Sequence, residues 1–177
     1  MTPDFLLRTR RLSFRHWSEA DGALASNLWG DPEVTRLVGG PFTEPEIQQR
    51  LAREIAQQSS QAVQYWPMFL PEFDAFVGCC GLRPHPDGEG VYELGFHLRP
   101  LFWGCGLAKE AADAVIGYAF DVLDAASLFA GHHPQNLSSA RLLERLGFHY
   151  DRDALYAPTG LEHPSYSLRS HVRAGNA

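Results

Sequence analysis

The sequence predicts an α+β fold of mixed helices and strands: a central, mostly antiparallel sheet of six to seven strands with about four helices. Three observations predict it. Segments of apolar period two and of period 3.6 follow one another along the chain, so strands and helices are both present. Residues 63–70, 75–82 and 91–98 are successive strand-like runs separated by turn-rich stretches, the pattern of antiparallel neighbours. A two-glycine turn, a long helix, a strand and another helix then follow, which supplies a layer to cover the sheet. A length of 177 residues suffices for one domain with a proper core, and residues 1–177 read as a single domain ordered over about 8–170.

Residues 11–15 alternate around Leu12 and Phe14 as a short strand. Ser18 with Asp21 forms an acidic variant of the capping box and opens a helix to about Leu28. Asp31-Pro32-Glu33 starts another helical turn, with Asp as cap and Pro at the first helical position, and Gly39-Gly40-Pro41 stops it. Thr43 and Glu46 form a second capping box, Phe42 staples onto Ile47, and Ile47, Leu51 and Ile55 carry that helix to about Ser59. The 63–70 and 75–82 strands form a hairpin. In the helix of residues 107–123, Leu107, Ala111, Val115, Tyr118 and Val122 make the core stripe, while Lys109, Glu110, Asp113 and Asp121 face water. Residues 127–131 are a strand, and residues 137–146 a helix closed by Gly147. Residues 148–156 and 166–171 are closing strands around a Pro/Gly loop, and the tail frays from about Ala174.

Composition narrows the function. Hydrophobic residues at 45% and charged residues at 20% are ordinary for a globular protein in water. A net charge of −6 argues against a nucleic-acid partner. No apolar run approaches the roughly 18 residues of a membrane span, and residues 1–11 lack a signal-peptide core. The expected setting is the cytoplasm, as monomer or homodimer, with no membrane partner. Cys79, Cys80 and Cys105 read as reduced thiols; a zinc site of Cys79, Cys80 and His85 is conceivable on residue type alone.

Two stretches carry the chemistry. In Trp103-Gly104-Cys105-Gly106-Leu107-Ala108-Lys109, two glycines one residue apart let the backbone approach a ligand, and the helix that follows presents unpaired amides and a positive dipole end. That combination is a phosphate cradle. In residues 91–98, Tyr92, Leu94, Phe96 and Leu98 share one strand face, and Val91, Glu93, Gly95 and His97 the other. The second face reads either as a solvent-facing edge strip or as a carboxylate and an imidazole flanking room for a ligand.

The element order, the Trp103-Gly104-Cys105-Gly106-Leu107-Ala108 turn, Asn136-Leu137-Ser138-Ser139 and Leu146-Gly147-Phe148 together resemble the GCN5-related N-acetyltransferase (GNAT) superfamily. Thr9-Arg10-Arg11-Leu12, Arg15-His16-Trp17 and Asp31-Pro32-Glu33-Val34 are similar to its ribosomal-protein N-terminal alanine acetyltransferase branch. The resemblance implies a sheet splayed around a cofactor cleft and acetyl transfer from acetyl-CoA (coenzyme A) directly to a primary amine, on a protein N-terminus or a small molecule. Trp103, Gly104, Cys105, Gly106, Leu107, Ala108 and Lys109 would hold the pyrophosphate, with Trp103 where the superfamily has Gln or Arg. The strand end at Phe96, His97 and Leu98 would pair with the pantetheine arm, and Asn136 and Ser139 would contact it from the next helix. Glu93 is the implied base, with His97 as the alternative. Leu143 stands at the position of a tyrosine acid; Ser139 is either the acid or a small packing residue. The acceptor site would lie between residues 29–42 and 156–164, lined by Trp29, Phe42, Trp66 and Tyr156. A non-catalytic acyl-CoA-binding module on the same fold is the competing reading, and a nucleotide-phosphate binder is disfavoured because no Gly-Lys-Ser/Thr follows the turn.

Overall fold

The structure, a computed structural model, describes residues 6–170. The expected strand end at His171 and the frayed tail from Ala174 lie outside the described residues. Strands β1 (Leu7–Arg8), β2 (Ser13–Phe14), β3 (Tyr65–Leu70), β4 (Ala75–Pro84), β5 (Val91–Leu98), β6 (Ser127–Gly131), β7 (His149–Tyr156) and β8 (Leu161–Arg169) form one sheet. Its order is β1-β2-β3-β4-β5-β6-β8-β7. Every adjacent pair is antiparallel except β5–β6. Helices α1 (Gly22–Trp29), α2 (Pro32–Thr35), α3 (Glu44–Gln61), α4 (Leu107–Asp121) and α5 (Leu137–Arg145) complete it.

The α+β fold with its mostly antiparallel sheet is as expected, at eight strands rather than six to seven. The added strand, β1, is two residues long and carries no periodicity to read. Both capping boxes form, at Ser18/Asp21 and Thr43/Glu46, and the Asp31 side chain accepts from the amides of Glu33 and Val34. Gly147 closes α5 with φ +86°. Several boundaries differ by a residue or two, and two of the differences move side chains or pairing. Helix α4 stops at Asp121, leaving Val122 64% exposed rather than in the core stripe. Strand β8 begins at Leu161, inside the expected Pro/Gly loop, because it pairs with β7 from Tyr156↔Leu161 onward.

The sheet has two covered faces. On one, α4 and α5 bury Leu107, Ala111, Val115 and Leu143 against Leu82, Leu94, Leu98 and Leu128. On the other, α1 and α3 bury Ala25, Leu28, Trp29, Ile47 and Leu51 against Tyr65, Phe76 and Cys79. Cys79 and Cys80 are consecutive on β4, so one thiol enters each layer. That alternation separates the pair that a shared zinc site would need. Burial pushes the Cys79 thiol up to about 12, which suits an inert core residue.

Candidate active site

Strands β5 and β6 pair over Val91↔Ser127, Tyr92↔Leu128 and Glu93↔Phe129. Beyond Glu93 they part, while β5 keeps its partner β4 as far as Gly78↔Leu98. Residues 94–98 therefore present a backbone edge along a widening cleft. Phe96, His97 and Leu98, the expected pantetheine-facing residues, lie on that edge.

The two-glycine turn follows the end of β5 and leads into α4. Gly104 has φ +72° and Gly106 φ +76°, a conformation that favours glycine. A Cβ on Gly104 would meet nothing within 4 Å, so the space over the turn is open. Leu107, Ala108 and Lys109 begin α4, and their amides have no intrahelical acceptor. Trp103 is half-exposed, and its indole Nε1–H donates to the Leu98 carbonyl (2.7 Å), tying the strand end to the turn. Cys105 is exposed, and its Sγ lies 3.5 Å from the Trp103 carbonyl. Lys109 pairs with Asp113 (2.7 Å).

Glu110 does not simply face water, as expected from α4 alone. Its carboxylate accepts from Thr9 Oγ1 (2.6 Å), the Arg11 amide (2.8 Å) and Arg11 Nε (2.6 Å). Arg11 Nη1 also donates to the Cys105 carbonyl (2.9 Å). The N-terminal β1–β2 turn is thereby clamped to the cradle. Burial works against the Glu110 charge, but the Thr9 and Arg11 hydrogen bonds outweigh it and hold its pKa low.

The polar face of β5 is half-buried rather than a fully exposed strip, with Trp29 of α1 bonded to His97. Cross-strand register places Arg83 beside Glu93, Gly81 beside Gly95 and Cys79 beside His97. The room at Gly95 is already taken: a Cβ there would lie 2.6 Å from Tyr65 Cε2 and closer still to the ring's Cζ and Oη. Gly95 thus accommodates the Tyr65 phenol. Arg83 stacks its guanidinium over that ring, 4.1 Å from the centroid, and pairs with Glu54 of α3. Glu54, 2% exposed, also accepts from the Tyr65 amide (2.8 Å).

Glu93 and His97 differ in environment. Burial raises the Glu93 pKa, offset in part by Arg83, His85 and Arg50. Among the described residues nothing hydrogen-bonds its carboxylate. The Trp29 indole N–H donates to His97 Nδ1 (3.2 Å), which leaves the ring hydrogen on Nε2. Burial, with Arg50 and Arg83, lowers the His97 pKa well below the ordinary value. A neutral imidazole whose lone pair is already engaged is a poor base.

Asn136 caps α5, its Oδ1 accepting from the Ser139 amide (3.1 Å), so its side-chain NH2 stays available. Leu143 is 1% exposed in the core under α5. Of the expected acceptor aromatics, Trp66 is fully buried in the α4 layer, donating to Gln58 Oε1 (2.9 Å). It belongs to the core. Trp29 and Phe42 lie in the α1/α3 layer, and Tyr156 packs at a tilt against His163, with ring centroids 4.7 Å apart. The two expected acceptor loops touch: a Cβ on Gly39 would lie 2.9 Å from Pro158 Cβ.

Sequence reasoning missed Tyr65, Arg83, Glu54 and Arg50. One signal was readable: Arg50 and Glu54 fall on the same helical stripe as Ile47 and Leu51, where solvent-facing charges do not belong.

Residues 11–149 match the acetyltransferase (GNAT) domain family. The chain belongs to the GNAT family. It is an acetyltransferase. It is 31% identical to the uncharacterized N-acetyltransferase p20 of Bacillus licheniformis over 80% of this chain and 81% of that one. The crystal structure of an acetyltransferase from Agrobacterium tumefaciens is 29% identical, with a TM-score of 0.80, covering 93% of this chain and 94% of that chain. A ribosomal L7/L12 alpha-N-protein acetyltransferase in complex with coenzyme A shares the fold at 14% identity and a TM-score of 0.78, over 94% and 98% of the two chains.

Proposed function

We propose that this GNAT enzyme uses acetyl-CoA to acetylate a primary amine, with Glu93 as the base. The observation that carries the reading is a half-buried, unpartnered carboxylate of raised pKa where β5 and β6 part, in the cleft that the glycine turn closes. The residues fit the nucleotide: the space over Gly104 is open, and the first α4 amides are free to hold a pyrophosphate. Gly104, Cys105, Gly106, Leu107, Ala108 and Lys109 would bind it through the backbone. The 94–98 edge and the Asn136 NH2 group would hold the pantetheine arm. When bound, acetyl-CoA supplies an electrophilic thioester carbon.

The rest falls to the chain. An amine attacks only when neutral, so Glu93, directly or through water, takes its proton as the new N–C bond forms. The raised pKa moves Glu93 toward the working range. His97 keeps an Nε2–H donor on the same face, and Ser139, on the first turn of α5, supplies a hydroxyl to the departing thiolate. Three free thiols and acetyl-CoA dependence support a cytoplasmic setting.

The test is thiol release from acetyl-CoA across a panel of amines. Glu93→Gln should lower kcat by about 10²- to 10⁴-fold while coenzyme A still binds. The wild-type rate should rise with pH through an apparent pKa above the ordinary carboxylate value, since only ionised Glu93 accepts the proton, and the variant should lose that limb. Ser139→Ala should lower kcat less. Unchanged turnover in Glu93→Gln would remove the base assignment.

A further inference from the structure

Arg50, in the middle of α3, is a buried cation lacking a matched anion. Its side chain is 12% exposed. Its Nε is out of solvent with no hydrogen-bond partner. Glu54 lies 3.9 Å from that nitrogen, beyond hydrogen-bonding range. That carboxylate already serves Arg83 and the Tyr65 amide. What holds the Arg50 guanidinium is the face of Trp29, 4.3 Å from the centroid, which offers no hydrogen-bond acceptor. Buried polar groups are nearly always paired, so one left open needs an explanation.

Its surroundings supply one. Arg50 lies close enough to influence Glu93, His97, Tyr65, Tyr156 and Cys79 electrostatically. Of these, Glu93 and His97 share the polar face of β5 and Tyr156 ends β7, while Tyr65 and Cys79 are buried core residues. With Arg83 matched by Glu54, Arg50 is the surplus positive charge whenever Glu93 is neutral. Burial, together with Arg83, lowers its pKa, which marks a cation under strain from its site.

We propose that Arg50 binds a carboxylate of the acceptor, so that the substrate is an amine bearing a carboxylate a short spacer away. The inference rests on the amine-acetylation reading above. A guanidinium fork matches a carboxylate with two parallel hydrogen bonds. The acceptor nitrogen faces Glu93 while its anionic end reaches Arg50. That carboxylate belongs either to a free amino acid or to an acidic side chain beside a protein N-terminus.

The test compares matched acceptors on the full chain by thiol release: free amino acids against their carboxamides, and C-terminally amidated peptides with Asp against Asn at the second position. The expected result is a preference of about 10- to 100-fold in kcat/KM for the carboxylate member in one series, which identifies its source. Arg50→Met should erase that preference by raising KM for the acid. Its effect on the amide should be smaller than on the acid, so the acid-to-amide ratio of kcat/KM falls toward one. Equal use of acids and amides in both series, or a preference that survives Arg50→Met, would overturn the proposal. Should no amine release thiol, the acetylation reading itself fails. Calorimetry with N-acetyl amino acids and their amides on coenzyme A-loaded protein then decides for Arg50. Acid-selective binding lost in Arg50→Met supports it, and equal binding or none overturns it.

Discussion

Gly95→Ala tests the polar β5 face through one methyl group. The added Cβ would lie 2.6 Å from Tyr65 Cε2, with Cζ and Oη nearer still. Ordinary carbon contacts sit at about 3.5–4.0 Å, so the ring must retreat by roughly 1 Å or more. It has little space for that. Tyr65 is 4% exposed, with the Arg83 guanidinium 4.1 Å over its face and His97 edge-on at 6.2 Å. Overpacking of this kind costs about 1–3 kcal/mol, and each kcal/mol lowers the melting temperature by about 2–4 °C at this chain length. Urea denaturation of Gly95→Ala, Tyr65→Leu and the double variant would measure it. Trimming the ring should remove most of the glycine penalty, giving a coupling of about 1 kcal/mol or more. A Gly95→Ala protein within about 0.5 kcal/mol of wild type, or the absence of coupling, would refute the packing argument. Acetyl transfer should fall as well, because the displaced ring pushes on Arg83 beside Glu93.

The remaining predictions concern the charges around that ring and the cradle. Glu54→Gln removes the counter-ion of Arg83, whose side chain is one-third exposed, and should cost about 1–3 kcal/mol in urea denaturation; a loss below about 0.5 kcal/mol would mean that Arg83 finds other solvation. Glu110→Gln weakens the clamp between Arg11 and the glycine turn. It should raise the KM for acetyl-CoA by about 10-fold with kcat little changed, and an unchanged KM in steady-state kinetics would show that the turn holds its shape unaided.

Much of this was legible in the residues because local rules sufficed. Capping boxes are short-range, so Thr43/Glu46 and Ser18/Asp21 announce helix starts without knowledge of the fold. Gly104 and Gly106 have positive φ because the turn into α4 requires it. The alternation of β5 separates Leu94 and Leu98 from Glu93 and His97 whatever packs above them.

What covers each face is a different kind of fact. Whether the Glu93 side was open or half-buried depended on residues remote in sequence, such as Trp29 of α1 and Arg50 of α3. The use of Gly95 depended on Tyr65, thirty positions away (95 − 65) and two strands over. Glu110 pointed to water by helical phase, yet the β1–β2 turn, about a hundred residues earlier, supplies its partners. The sequence by itself determined the element order, the turn geometry and which side chains share a face. Tertiary structure alone decided which charges meet, because pairing depends on distance in space and burial decides what each pairing is worth. Arg50 shows the difference: its place on the apolar stripe could be read from spacing, but its missing anion could be seen only after every neighbour had been placed.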